Sequence, residues 1–186
     1  VHSSMLGFAI TRKEDDAIEL ENISEPSGEK YEAVLRRVFL LNKEMIGSLK
    51  EGLQEGVDKS AQTKELRMQM DKYVLFCKRI LYKERYEHDP LLQWELLTFL
   101  MHINHSLQYF SEEVKGHKDD LLARYLDELL QYYTLQYDAF YKRDLSRVRR
   151  IDQEKSRLHF GDLLDDIQAH PNRAKALVFL REAFRL

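Results

Sequence analysis

His102 and His105 stand one helical turn apart in the 186-residue chain, and Glu112 follows two turns beyond His105. A helix through this stretch presents two imidazoles and a carboxylate on one side. Nitrogen and oxygen donors of this kind bind divalent transition metals when a neighbouring helix completes the set. His102, His105 and Glu112 are therefore the candidate metal ligands, and a divalent or iron-type metal is the only cofactor they suggest. The competing account is a stripe of solvated or hydrogen-bonded polar side chains, because the His-Glu-x-x-His pattern of a metalloprotease is absent. His88 and Asp89 form a second pair, of the type used in metal-dependent phosphohydrolases. Asp89 precedes Pro90, however, an order that reads as a helix cap with proline at the first helical position.

No glycine-rich phosphate loop, nucleophile elbow or Glu-x-x-His diiron motif occurs, so the chain reads as a binding protein and not an enzyme. Basic residues concentrate at Arg143, Arg147, Arg149, Arg150, Lys155 and Arg157. They suit phosphate or an acidic partner surface, but the interleaved Asp144, Asp152 and Glu154 favour an ordinary solvated helix face. Tyr125, Tyr132, Tyr133, Tyr137 and Tyr141 spread wider than a single buried stripe. Core packing therefore competes with a contact between bundles or between two copies of the chain.

Helices must position these side chains. Hydrophobic residues make up 44% of the chain, charged residues 33%, and there are only three prolines, a composition suited to amphipathic helices. In the stretch 88–114, Leu92, Leu96, Phe99, Leu100, Ile103, Leu107, Phe110 and Val114 recur at steps of three and four and form a seam that must be buried. Thr98, His102, His105, Gln108, Tyr109 and Glu112 lie opposite it. The same spacing predicts helices over 31–54, 60–86, 119–142 and 144–168, and a short sixth that Pro171 starts. Before them, Phe8 with Ile10 and Ile18 with Leu20 alternate with polar neighbours, which predicts a small β-hairpin. The expected architecture is all-α: a β-hairpin connector over 1–24, a first three-helix bundle over 25–117 and a second, truncated one over 118–186.

A net charge of −3 gives no sign of a chain that binds nucleic acid along its whole length. Cys77, the single cysteine, excludes an intrachain disulfide and a cysteine-based zinc site, and fits a reducing, cytoplasmic setting. No apolar run reaches the roughly 18 residues of a membrane span, so no membrane insertion is expected. The Val1 start and the helical pattern still open at Leu186 suggest an excerpt of a longer protein.

Gly7-Phe8 within the short strand pair, Arg36-Arg37 and Met45 in the first helix, and the run DKYVLFCKRIL from Asp71 to Leu81 resemble the PhoU-like part of archaeal phosphate-uptake regulators. The resemblance implies two three-helix bundles and a role in phosphate transport or signalling. It also implies homodimers, contacts with a phosphate transporter or sensor kinase, and DNA binding only through an upstream AbrB-type domain. PhoU proteins often hold metal clusters through a Glu/Asp-x-x-x-Asp motif late in the third helix. Here that place reads Leu107-Gln108-Tyr109-Phe110-Ser111-Glu112, where Gln108 replaces the first acid and Glu112 remains. The alternative is a metal- or small-ligand-sensing effector domain of another helical transcription regulator.

Overall fold

The computed structural model describes residues 8–13, 17–22, 28–83 and 89–185; of the candidate residues, only His88 lies outside them. The architecture is all-α, as the amphipathic spacing implies. Its helices are α1 (Gly28–Glu55), α2 (Ser60–Lys83), α3 (Pro90–Val114), α4 (Asp120–Lys142), α5 (Ser146–Arg157), α6 (Leu163–Ala169) and α7 (Ala174–Ala183). Ahead of them, β1 (Phe8–Lys13) and β2 (Ile18–Asn22) pair antiparallel, with Phe8 opposite Asn22 and Ile10 opposite Leu20.

Two aspartates start helices in the same way. Asp89 Oδ1 accepts from Leu91 N at 2.9 Å and Leu92 N at 3.4 Å, and Asp119 Oδ1 accepts from Leu121 N and Leu122 N, both at 3.1 Å. Each carboxylate answers backbone donors that the first turn of a helix leaves open. After α3 the chain turns at Gly116 with φ 74°, where a β-carbon would come within 2.9 Å of Asp58 N in the α1–α2 joint. Both the backbone conformation and the close approach call for glycine there.

Cross-helix contacts fix the direction of each helix. Tyr31 donates to Gln93 Oε1 at 2.9 Å and Asn42 Nδ2 to Leu100 O at 3.0 Å, so α1 and α3 run parallel. Lys78 bonds Thr98 at 3.0 Å and Asp71 bonds His105 at 2.8 Å, which sets α2 in the opposite direction. Asn42 also donates to Tyr133 at 3.2 Å and Lys50 pairs with Asp127, so α4 is antiparallel to α1. The pairs Asp138 with Arg147 and Glu128 with Arg157 turn α5 back along α4. On α7, Lys175 meets Glu113 and Phe179 meets Tyr109, antiparallel to α3, while Arg173 meets Asp119 and Phe184 meets Tyr132, parallel to α4.

A single apolar cluster draws on α1, α2, α3, α4, the turn after α5, α6 and α7. On α3 the buried line is Leu97, Leu100, Ile103, Leu107 and Phe110, whereas Leu92 is 62% exposed and Phe99 38% exposed. The expected seam therefore holds at its centre and shifts at its start. Because α1, α2 and α7 all pack on this helix, Leu97 enters the core and Phe99 faces the groove toward α7. Fully burying one such leucine contributes about 1.5–3 kcal/mol, against about 0–1 kcal/mol for an exposed ion pair. The apolar seam thus dominates the hold on α3.

The expected fifth helix is interrupted. Between α5 and α6, Leu158–Asp162 form a π-helical turn, which places the consecutive residues Leu158 and His159 both inside, at 1% and 7% exposure. His159 Nδ1 donates to Arg181 O and Arg181 Nε donates to His159 O, each at 2.9 Å, which locks the turn to α7. Because a carbonyl oxygen only accepts, Nδ1 carries the proton.

Candidate functional site

The polar stripe of α3 faces α2 along much of its length. Lys78 Nζ donates to Thr98 Oγ1, and its charge lies 4.7 Å over the Trp94 ring. Burial among these groups lowers the Lys78 pKa. Two turns further along α3, His105 Nε2 meets Asp71 Oδ1 at 2.8 Å. Further on, Arg67 Nη1 donates to Gln108 Oε1, Gln108 Nε2 donates to Glu112 Oε1, and the Arg67 guanidinium stands 5.8 Å over the Tyr109 ring. Arg67 Nε also lies 3.9 Å from Asp71 Oδ2, so Arg67 and Asp71 make a continuous polar seam with His105 and Gln108.

The three expected metal ligands are not brought together. His105 is engaged with Asp71, Glu112 with Gln108, and His102 is exposed. Ten residues separate His102 from Glu112, a rise of about 15 Å along the helix, too far for one ion. Among the described residues, no three His, Cys, Asp or Glu side chains are grouped to hold a metal. Asp71 and Arg67 are the residues that spacing along α3 alone does not reveal. Their sign in the sequence is a pair of opposite charges one turn apart on α2, beside its buried line of Leu66, Met70 and Val74.

The tyrosines of α4 pack within the chain. Phe39 of α1 lies at the centre of a ring cluster, with centroids 5.5–5.9 Å from Tyr133, Tyr137, Phe140 and Tyr141. Arg36 stands 4.8 Å over Tyr141 and Lys43 5.5 Å over Tyr137, so cations cover the outer side of the cluster. Beneath it, Asn42 and Asn104 are both wholly buried and bond each other at 2.9 Å, and Asn42 reaches on to Tyr133. This polar node ties α1, α3 and α4 at one point.

The basic stretch divides. Arg147 pairs with Asp138 and Asp144, and Arg157 with Glu128, Glu154 and Asp162. Lys142 first, and then Arg147, hold the Asp138 carboxyl below its ordinary pKa against the opposing effect of burial. The side chains of Arg143, Arg149, Arg150 and Lys155 have no hydrogen-bond or ion-pair partner among the described residues. Between α4 and α5 this stretch borders a cleft of about 440 Å³, and a smaller one of about 240 Å³ lies between α3 and α7 beside His102 and His105. No helix of the described chain is long and apolar enough to cross a membrane. Comparison with protein-family models, with curated proteins and with solved structures finds no match.

Proposed function

We propose that the chain is a PhoU-like regulatory domain that acts by protein–protein contacts in the control of phosphate uptake or signalling, with no catalytic step of its own. The observation that carries this reading is the pattern of helix directions. α1, α2 and α3 alternate in direction, and α4, the α5–α6 run and α7 do the same with the opposite sense. α1 lies on α4 and α3 on α7, so the first and third helices of one triplet meet their counterparts in the other. Two tandem three-helix units, 25–117 and 118–186, packed about a local two-fold axis, account for this arrangement. The segment 1–24, which contains the paired strands β1 and β2, then serves as the connector to an upstream DNA-binding domain.

In this reading the signal is a change in how the triplets pack. The Asn42, Asn104 and Tyr133 node lies where both triplets meet, and packed interfaces switch between discrete arrangements instead of deforming continuously. The partners are a second copy of the chain and a phosphate transporter or sensor kinase on the cytoplasmic side. The test is deletion of the coding segment in its host, with phosphate uptake and phosphate-responsive transcription measured in phosphate-replete medium. Loss of repression, restored by the intact gene, is the expected result. Uptake and transcription unchanged by the deletion would overturn the proposal.

A further inference from the structure

Among the described helices, α5 alone has no buried side chain, and only Ile151, half-buried, touches the core from it. Charges hold it in place at its two ends. Arg147 Nη1 lies 3.2 Å from Asp138 Oδ2, and Arg157 Nη2 lies 2.7 Å from Glu128 Oε2. Ten residues, about 15 Å of helix, separate the two ties. Between them the helices stand apart and leave the cleft of about 440 Å³. That volume lies within the range of small-molecule sites, and the end ties preform it.

The lining indicates what fits. Leu130 and Leu135 of α4 give it an apolar wall. Asp138, Glu128 and Glu154 also line it, but each already has an arginine partner. Arg150 and Thr134 line the same cleft and have no side-chain partner among the described residues. The lining is neutral as a whole, three carboxylates against three guanidiniums, but Arg150 is the one guanidinium among them with no carboxylate bound to it, and it lines the cleft with a hydroxyl and an apolar wall. A guanidinium offers parallel N–H donors that match a carboxylate.

We propose that the α4–α5 cleft binds a small organic monoanion, a carboxylate on an apolar body, which Arg150 and Thr134 hold by its charged end while Leu130 and Leu135 cover its apolar part. The site goes beyond the regulatory reading above and does not depend on it. It is tested on the whole chain by titration with the anionic dye anilinonaphthalenesulfonate, followed by displacement with octanoate, octylammonium or inorganic phosphate. The expected result is one saturable dye site that octanoate empties and the other two do not. Arg150→Gln weakens dye and octanoate binding by about tenfold, the loss of one charge-assisted contact, with unchanged circular dichroism because Arg150 is exposed. Arg149→Gln, on the same helix but outside the cleft, leaves both affinities unchanged. Equal affinity in Arg150→Gln, displacement by octylammonium, or displacement by inorganic phosphate as effective as by octanoate would each overturn the proposal.

Discussion

The side chains of Asn42 and Asn104 meet at 2.9 Å with no solvent access to either. Asn42 is the more committed partner, since its amide also donates to Leu100 O and Tyr133 and its oxygen accepts from Asn104. Replacing Asn42 with leucine orphans the Asn104 amide and the Tyr133 hydroxyl together, and each buried orphan costs about 1–3 kcal/mol. Asn104→Leu orphans only the Asn42 oxygen. Urea unfolding should therefore show Asn42→Leu as the more destabilising change, by about 2–4 kcal/mol against about 1–3 kcal/mol. The double variant should lose less than the sum, because it contains neither the orphaned Asn104 amide nor the orphaned Asn42 oxygen and leaves only the Tyr133 hydroxyl unpaired. Strict additivity would show that the pair is not coupled.

Burial raises the Cys77 thiol to about 12 from an ordinary 9.0. Burial also lifts the hydroxyls of Tyr125, Tyr132, Tyr133 and Tyr141 well above their ordinary 10.0. In each case the folded value exceeds the unfolded one, so the fold favours the protonated form. The associated stability is complete below pH 9.0 and is lost progressively as pH rises from the ordinary values of 9.0 and 10.0 toward the higher folded ones. The urea midpoint should fall steadily over that range. Tyrosinate absorption from these four of the ten tyrosines should appear only as helical circular dichroism disappears. Cys77 should resist thiol reagents until denaturant is added. Tyrosinate formation in full at constant helicity would contradict the burial of these rings.

The helices were legible in the sequence because burying one face fixes a spacing, and Leu100, Ile103, Leu107 and Phe110 carry it without interruption. Asp89 before Pro90 was legible for a similarly local reason, since a cap acts on the next three residues. The π-helical turn was not, because Leu158 beside His159 breaks the spacing by a single residue and leaves no turn chemistry to mark it. The polar seam was half legible. His105 and Gln108 stand out on α3, but Asp71 and Arg67 lie on another helix, and their meeting depends on how far α2 is rotated about its own axis. Spacing within one helix carries no information about that rotation. His102, His105 and Glu112 share a direction around the helix, and the rise of about 15 Å along it is what keeps them apart.

Asp119 should matter more than Asp89, although both cap helices. Among the described residues the Asp89 side chain makes only its cap bonds, and Asp89→Ala should cost about 1 kcal/mol. Asp119 caps α4 through Oδ1 while Oδ2 accepts from Arg173, just before α7, and its side chain is mostly buried. Asp119→Ala removes both functions and leaves a guanidinium unpaired, so a loss of about 2–3 kcal/mol is expected. Asp119→Asn, which keeps the cap acceptor, should recover the smaller part. Thermal unfolding of the three variants checks the order, and equal losses in Asp89→Ala and Asp119→Ala would show that the Arg173 contact contributes nothing.

Because α5 is fastened by charge and buries no side chain, its opening should respond to salt where the opening of α3 does not. The Arg157 guanidinium meets Glu128, Glu154 and Asp162 at 2.6–3.2 Å, and all four side chains retain solvent access. Pairs of this kind contribute a few tenths of a kcal/mol up to about 1 kcal/mol each, and they weaken as the Debye length shrinks from about 30 Å at 0.01 M salt to about 3 Å at 1 M. Amide exchange along Ser146–Arg157 should quicken about three- to tenfold over that range, while Leu97–Phe110, held by apolar burial, should keep its protection or gain slightly. Arg157→Gln should reproduce the high-salt rate for α5 already at low salt and remove much of the remaining salt dependence. If α5 exchanged as slowly as α3 and ignored both salt and the substitution, ion pairs would not be what holds it against α4.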